Sequence, residues 1–142
     1  MLFSDIFHKN GTVVDAAIAV MICNGAVHSH SLGLGGGFFM TLFINGTSHF
    51  LNAREAAPSG ANKTMFCDNP KDSTEGPRAI AIPAEMKGYV EAKERFGNPE
   101  LSLLDLFQPT IDLCEQGFKA TRSLVRAIKQ FDTKSKFDKN LR

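Results

Sequence analysis

Tryptophan is absent from this chain and tyrosine occurs once. Twelve phenylalanines supply aromatic bulk instead, so the interior has few ring-borne hydrogen-bonding groups. No apolar run is long enough for a transmembrane helix. Neither sign of charge is in excess: 16 basic and 15 acidic residues leave a net +1. With no basic stripe outside a Lys-rich end, nucleic acid is excluded as the expected partner. Cysteine is sparse and odd in number, Cys23, Cys67 and Cys114. Their spacing fits no zinc pattern, and in a secreted chain one thiol would be left over. The opening stretch, Met1 to Lys9, has no small-residue cleavage site and does not read as a signal peptide. Taken alone, that points to the cytosol.

Three sequons point the other way: Asn10-Gly11-Thr12, Asn45-Gly46-Thr47 and Asn62-Lys63-Thr64. Each sits beside an expected turn or helix start, where a glycan could be carried. At 142 residues, with 43% hydrophobic and 22% charged residues, the chain has the size and composition of one globular domain with a real core.

Four glycines in the five positions 33–37 open directly onto the apolar run Phe38 to Ile44. Such a stretch costs conformational entropy and is retained where the backbone turns tightly or another group comes very close. Gly35, Gly36 and Gly37 therefore mark a place to look for a ligand.

Before this loop, Thr12 with Asp15 is close to a capping box. It starts a helix from Val13 to about Asn24 that is apolar on every face over 16–23 and so should be buried all round. After the loop, residues 38–44 and 48–54 are expected strands joined by Asn45-Gly46, a strong hairpin signal. A two-residue turn would place Ile44 opposite Thr47, Met40 opposite Leu51 and Gly37 opposite Arg54. Large hydrophobes on both faces predict a hairpin covered on both sides. Residues 58–77 should be a surface loop. A short strand is expected over Arg78 to Ile82, then a helix from about Ala84 to Phe96 with Met86, Tyr89, Val90 and Phe96 on one side. Ser102 and Asp105 should cap a helix that turns Leu103, Leu106, Phe107, Ile111 and Cys114 inward and ends at Gly117. Pro109 should bend it. Thr121 starts a last helix to about Phe131, and residues 132–142 form a charged tail expected to fray.

Arg54, at the end of a buried strand beside the glycine loop, must find an anion. A guanidinium grips a carboxylate through two parallel hydrogen bonds. A structural ion pair with Glu55 or another segment is the commoner outcome for an arginine, and a ligand carboxylate is the alternative. His28 and His30 lack a third metal ligand at a helpful spacing. The glycine run follows a helix and precedes a strand, the reverse of a dinucleotide site. The serines near the loop lack a Gly-x-Ser-x-Gly elbow. No nucleophile with an evident base stands out, and no cofactor or metal is implied.

Five ordered segments resemble the γ-glutamyltransferase (glutathione hydrolase) family of N-terminal-nucleophile hydrolases: Val14 to Ala19, His30 to Gly37, Asn52 to Pro58, Ala81 to Gly88, and Leu106 to Ile111 with Gln116-Gly117-Phe118. Ala84 departs from the glycine usual there. The resemblance implies an α+β chain forming part of an αββα core, with residues 1–131 corresponding to the N-terminal part of the large subunit. It implies cleavage of γ-glutamyl amides such as glutathione, with transfer to water or an amino acid. Arg54 would hold the substrate α-carboxylate, with Glu55 supporting it. The nucleophilic threonine, its own amine as base, would lie in a small subunit outside this chain, so the chain alone is expected to be inactive. The alternative is a catalytically inactive short homologue that binds a ligand or another subunit. Animal members imply a glycoprotein on the extracellular face of the plasma membrane, an anchor before Met1, and a partner for Cys23 outside the sequence.

Overall fold

The computed structural model describes residues 2–135, with the side chains of 4–130. Its helices are α1 (Leu2–His8), α2 (Val13–Val27), α3 (Glu85–Phe96), α4 (Leu103–Gln116) and α5 (Arg122–Ser135), and a hairpin of β1 (Phe38–Ile44) and β2 (Thr47–Ala53) lies between α2 and α3 in the chain. Helix α2 is the hub, touching α1, α3 and α4. An evenly apolar helix needs neighbours on several sides, and its residues Ala16, Ile18 and Ala19 are fully buried among Ile6, Tyr89, Ala92 and Leu106. The enclosure is incomplete: Val13 is exposed, and Ala17, Val20 and Cys23 are half-buried.

The capping box forms as expected, with Thr12 and Asp15 each satisfying the other's backbone N–H. The helix does not stop at Asn24-Gly25 but runs to Val27, where the His28 N–H bonds the Asn24 carbonyl at 2.8 Å. Gly25 is used for close approach instead: a Cβ there would lie 3.2 Å from Gly33 Cα, where the loop folds back on the helix.

The hairpin register is as expected, with Ile44 opposite Thr47 and Met40 opposite Leu51. Asn45 and Gly46 have φ of 50° and 78°, the left-handed pair that a two-residue turn matching the strand twist requires. The inner face rests on α3, where Phe38 stacks on Tyr89 (5.2 Å) and His49 meets Phe96 (4.8 Å). Coverage on both sides is not found. Among the described residues α3 packs on this one face, and Phe39, Phe43 and Phe50 are exposed on the other, with Phe39 and Phe50 stacked at 5.9 Å.

No strand forms over Arg78 to Ile82. Gly76 at φ 80° and Pro77 start a single 3₁₀ turn, Pro77–Ala79, and Arg78 is drawn away to Asp72 and the Met65 carbonyl. What survives is one antiparallel bridge, Ile82 to Ala56. On α3, Tyr89 is buried but Met86 is exposed. On α4, Leu106 is buried and Cys114 exposed. Gly117 ends α4 with φ 79°. The expected boundary at residue 131 falls inside α5, and the rest of the tail, 136–142, lies outside the described residues.

Gly88 sits where α3 crosses the hairpin. An added Cβ would come within 2.5 Å of Ala53 Cβ and 2.7 Å of Phe38 Cζ. Gly88→Ala is therefore expected to destabilise the fold by about 1–3 kcal/mol, although alanine is the better helix former. A urea midpoint equal to or above that of the unsubstituted chain would contradict this contact.

A second capping box opens α4. Ser102 donates to Asp105 from both its hydroxyl and its backbone N–H. The side-chain bond first, then the backbone bond, hold the Asp105 carboxyl below the ordinary carboxylate range. With the folded value lowered, this contribution is complete above the unfolded-state value and is lost as pH falls through the folded one. Ser102→Ala is expected to lower stability by about 1 kcal/mol near neutral pH. The deficit should shrink in strong acid, which paired urea titrations at about pH 7 and about pH 3 would measure.

Candidate functional site

Three stretches meet at one place: the glycine loop, the end of β2 and the start of α3. Gly37 makes the closest approach. A Cβ there would lie 2.2 Å from the Ala53 carbonyl oxygen and 3.1 Å from the Glu55 nitrogen, so only glycine fits against that backbone. Gly36 turns its carbonyl to the N-terminus of α3 and accepts from Ala84 N–H at 3.0 Å and Glu85 N–H at 3.1 Å. Ala84 contributes no side-chain cap, so the loop carbonyl takes up donors at that helix end. Bonds in both directions between Ala56 and Ile82 close the third side.

Two carboxylates flank Gly36: its virtual Cβ would stand 3.4 Å from Glu55 Oε1 and 3.7 Å from Glu85 Oε2. Glu85 is buried and its Oε1 accepts from the Tyr89 hydroxyl one turn on. Burial first, then this bond and the neighbouring charge, push the Tyr89 hydroxyl above its ordinary range, so it stays a donor.

Arg54 leaves β2 beside Gly37, with its N–H bonded to Asn52 Oδ1 at 3.0 Å. Its guanidinium lies 3.0 Å from Glu55 Oε2, and its side chain is 65% exposed against 21% for Glu55. The pair lacks the alignment of a hydrogen bond, since Glu55 Oε2 has no such partner. Arg54 thus carries a largely exposed side chain whose guanidinium is steadied by one carboxylate. Gly35 is exposed with open space around its Cα.

Sequence reasoning placed Glu85 and Tyr89 in a helix without a role. The available signal was a glutamate just after Pro83-Ala84 with a tyrosine four residues on, where i and i+4 side chains meet. His28 and His30 lie 6.0 Å apart by ring centroids, and among the described residues no group of three or more potential ligands could hold a metal. The hydroxyl–carboxylate pairs Thr12–Asp15 and Ser102–Asp105 are helix caps. Cys23, Cys67 and Cys114 are free thiols. Asn10, Asn45 and Asn62 are all exposed.

The family model for gamma-glutamyltranspeptidase matches residues 3–141. The chain belongs to the gamma-glutamyltranspeptidase family. Glutathione hydrolase proenzyme 1 of Schizosaccharomyces pombe is 44% identical over 126 residues, covering 88% of this chain and 20% of that protein. The Pseudomonas nitroreducens gamma-glutamyltranspeptidase, solved in complex with L-DON, superposes with a TM-score of 0.87 at 30% identity, covering 99% of this chain and 43% of that one. The Helicobacter pylori gamma-glutamyltranspeptidase gives 0.82 at 29% identity over 91% of this chain and 38% of that one. The chain thus spans about a fifth of the length of the curated relatives it matches. Its mixed helix–strand architecture with a small unclosed antiparallel sheet is a partial form of the N-terminal-nucleophile hydrolase-like fold that these gamma-glutamyltranspeptidases share.

Proposed function

We propose that this gamma-glutamyltranspeptidase chain supplies the carboxylate clamp of a γ-glutamyl site. Arg54 would bind the α-carboxylate of glutathione or another γ-glutamyl compound, Glu55 would steady the guanidinium, and Gly35, Gly36 and Gly37 would keep the approach clear of side chains. The observation carrying this reading is the seating of the Ala53–Glu55 backbone against Gly37, with the Arg54 side chain between them 65% exposed. A small subunit bearing the threonine nucleophile would complete cleavage and transfer to water or an amino acid. Without a nucleophile the clamp binds and does not turn over. No cofactor enters this reading.

The exposed face of Phe39, Phe43 and Phe50 supports residence in a larger assembly, because a solitary chain rarely leaves such rings uncovered. The same face favours a second reading, a catalytically inactive short homologue that docks on another subunit. Exposed Asn10, Asn45 and Asn62 support a glycoprotein on the outer face of the plasma membrane. Among the described residues no helix is long and apolar enough to cross a membrane. Cys23 would pair with a cysteine outside this sequence.

The test is a chimera in which residues 3–141 replace the matching segment of the S. pombe relative. The enzyme reading expects glutamate release from glutathione. A folded chimera with no release would leave only the binding role.

A further inference from the structure

Away from the Arg54 site and the cleft of about 850 Å³ behind its glycine loop, one dipeptide recurs: Asn10-Gly11, Asn24-Gly25 and Asn45-Gly46. An asparagine before glycine can cyclise on its own backbone. The glycine nitrogen reaches the side-chain amide carbon, and no Cβ stands in its way. The reaction needs that nitrogen free and the peptide able to turn, and the structure treats the three pairs differently. The Asn10–Gly11 peptide is held on both sides. Gly11 N–H donates to the Ile6 carbonyl at 2.9 Å, and the Asn10 carbonyl accepts from Asn98 Nδ2 at 2.9 Å. Gly11 is also packed, since an added Cβ would lie 2.4 Å from Ile6 Cγ2. Gly25 lies inside α2, where the helix commits its N–H to the carbonyl four residues back. Asn45-Gly46 has none of these restraints. Both residues are exposed at the hairpin tip, and nothing stands within 4 Å of a Cβ added to Gly46. Among the described residues no backbone carbonyl accepts from Gly46 N–H, and no backbone N–H donates to the Asn45 carbonyl. Fraying of one pair, Ile44 with Thr47, frees the tip to turn.

We propose that Asn45 is a site of spontaneous deamidation and isoaspartate formation, and that folding protects Asn10 and Asn24. The Gly46 nitrogen gives up its proton to solvent base and attacks Asn45 Cγ. The new C–N bond forms, the Cγ–Nδ2 bond breaks, and Nδ2 leaves as ammonia with that proton, giving a five-membered succinimide. Water then opens the ring. Addition at the Asn45 main-chain carbonyl carbon gives isoaspartate, and addition at Cγ gives aspartate. Nothing is oxidised or reduced. Either product takes the formal net charge from +1 to zero. Isoaspartate also adds a methylene to the main chain inside a two-residue turn whose left-handed pair sets the strand register. The proposal is independent of the Arg54 clamp, which lies at the other end of β2. A glycan on Asn45 Nδ2 would occupy the leaving group, so the two fates exclude each other.

The experiment incubates the 142-residue chain, produced without glycosylation, near neutral pH with and without urea. Peptide mass mapping and isoaspartyl methyltransferase labelling then follow all three pairs. In buffer, Asn45 is expected to convert first. Asn10 should lag about tenfold, equivalent to about 1.4 kcal/mol, because two hydrogen bonds must break before its peptide can turn. Asn24 should lag at least as much. In urea the three rates should converge, since the restraints belong to the fold. Asn98→Ala removes the donor to the Asn10 carbonyl and should speed Asn10 about fivefold, leaving Asn45 unchanged. Conversion of Asn10 or Asn24 as fast as Asn45 in buffer would overturn the proposal. So would an Asn45 that stays intact in buffer after the urea sample has converted. The ranking of the three pairs in the unsubstituted chain decides the matter if Asn98→Ala does not fold.

Discussion

Arg54→Ala in the chimera is expected to lower kcat/KM for glutathione on the order of 100-fold, most of it in KM. A charge-assisted, two-pronged bond to a carboxylate is worth about 2–3 kcal/mol, and each tenfold corresponds to about 1.4 kcal/mol. The α-carboxylate takes no part in bond making, so the proposed clamp would act equally on ground and transition states and its loss would fall on KM. Arg54→Lys keeps the charge but not the planar fork, so a loss between those of alanine and the native residue is expected. Stability separates this from a purely structural ion pair. The Arg54 side chain is 65% exposed, and such a pair contributes only about 0–1 kcal/mol to folding. The urea midpoint should therefore hardly move while KM rises. A KM equal to that of the unsubstituted chimera would remove Arg54 from the site.

Asp15→Ala is expected to be the most damaging single substitution for folding, at about 3–5 kcal/mol. Asp15 is fully buried. Its Oδ2 accepts from Thr12 N–H (2.8 Å), the Thr12 hydroxyl (2.9 Å) and Asn98 N–H (2.8 Å). Its Oδ1 lies 3.6 Å from Lys93 Nζ, an ammonium that is itself 10% exposed and bonded to the Asn98 carbonyl. Alanine would strand those donors and leave Lys93 buried without its counter-charge, whereas Ser102→Ala at the exposed cap of α4 costs about 1 kcal/mol. Since whole domains are stable by only about 5–15 kcal/mol, Asp15→Ala should unfold at a far lower urea concentration. An Asp15→Ala loss no larger than that of Ser102→Ala would show that the buried network adds nothing to the cap.

These two residues also mark how far the sequence could be read. The Thr12–Asp15 and Ser102–Asp105 boxes were legible because capping is settled within four residues of chain. The hairpin register was legible because Asn45-Gly46 accepts left-handed backbone and the side-chain period then aligns every pair. The bond from Asp15 to Asn98 was not, because it joins positions 83 residues apart. The extension of α2 through Gly25 was missed because that glycine makes room for the loop at Gly33 rather than ending a helix. The strand expected over Arg78 to Ile82 failed where Gly76 and Pro77 began a turn and tertiary partners claimed Arg78. In the site, Arg54 and the glycines were legible from their order along the chain. Glu85 and Tyr89 were not, since a glutamate or a tyrosine on a helix is ordinary until its surroundings are known.

By itself, the sequence determined the caps, the turn, the pairing of β1 with β2 and the presence of an arginine after a glycine-rich approach. Each of these depends on local sterics and short-range hydrogen bonding, which act before distant segments meet. The tertiary structure alone decided which face of the hairpin is covered, that Gly36 lies between Glu55 and Glu85, and that a cleft stands behind the loop. Those features depend on burial, and burial is a property of what surrounds a residue in space rather than of its neighbours along the chain.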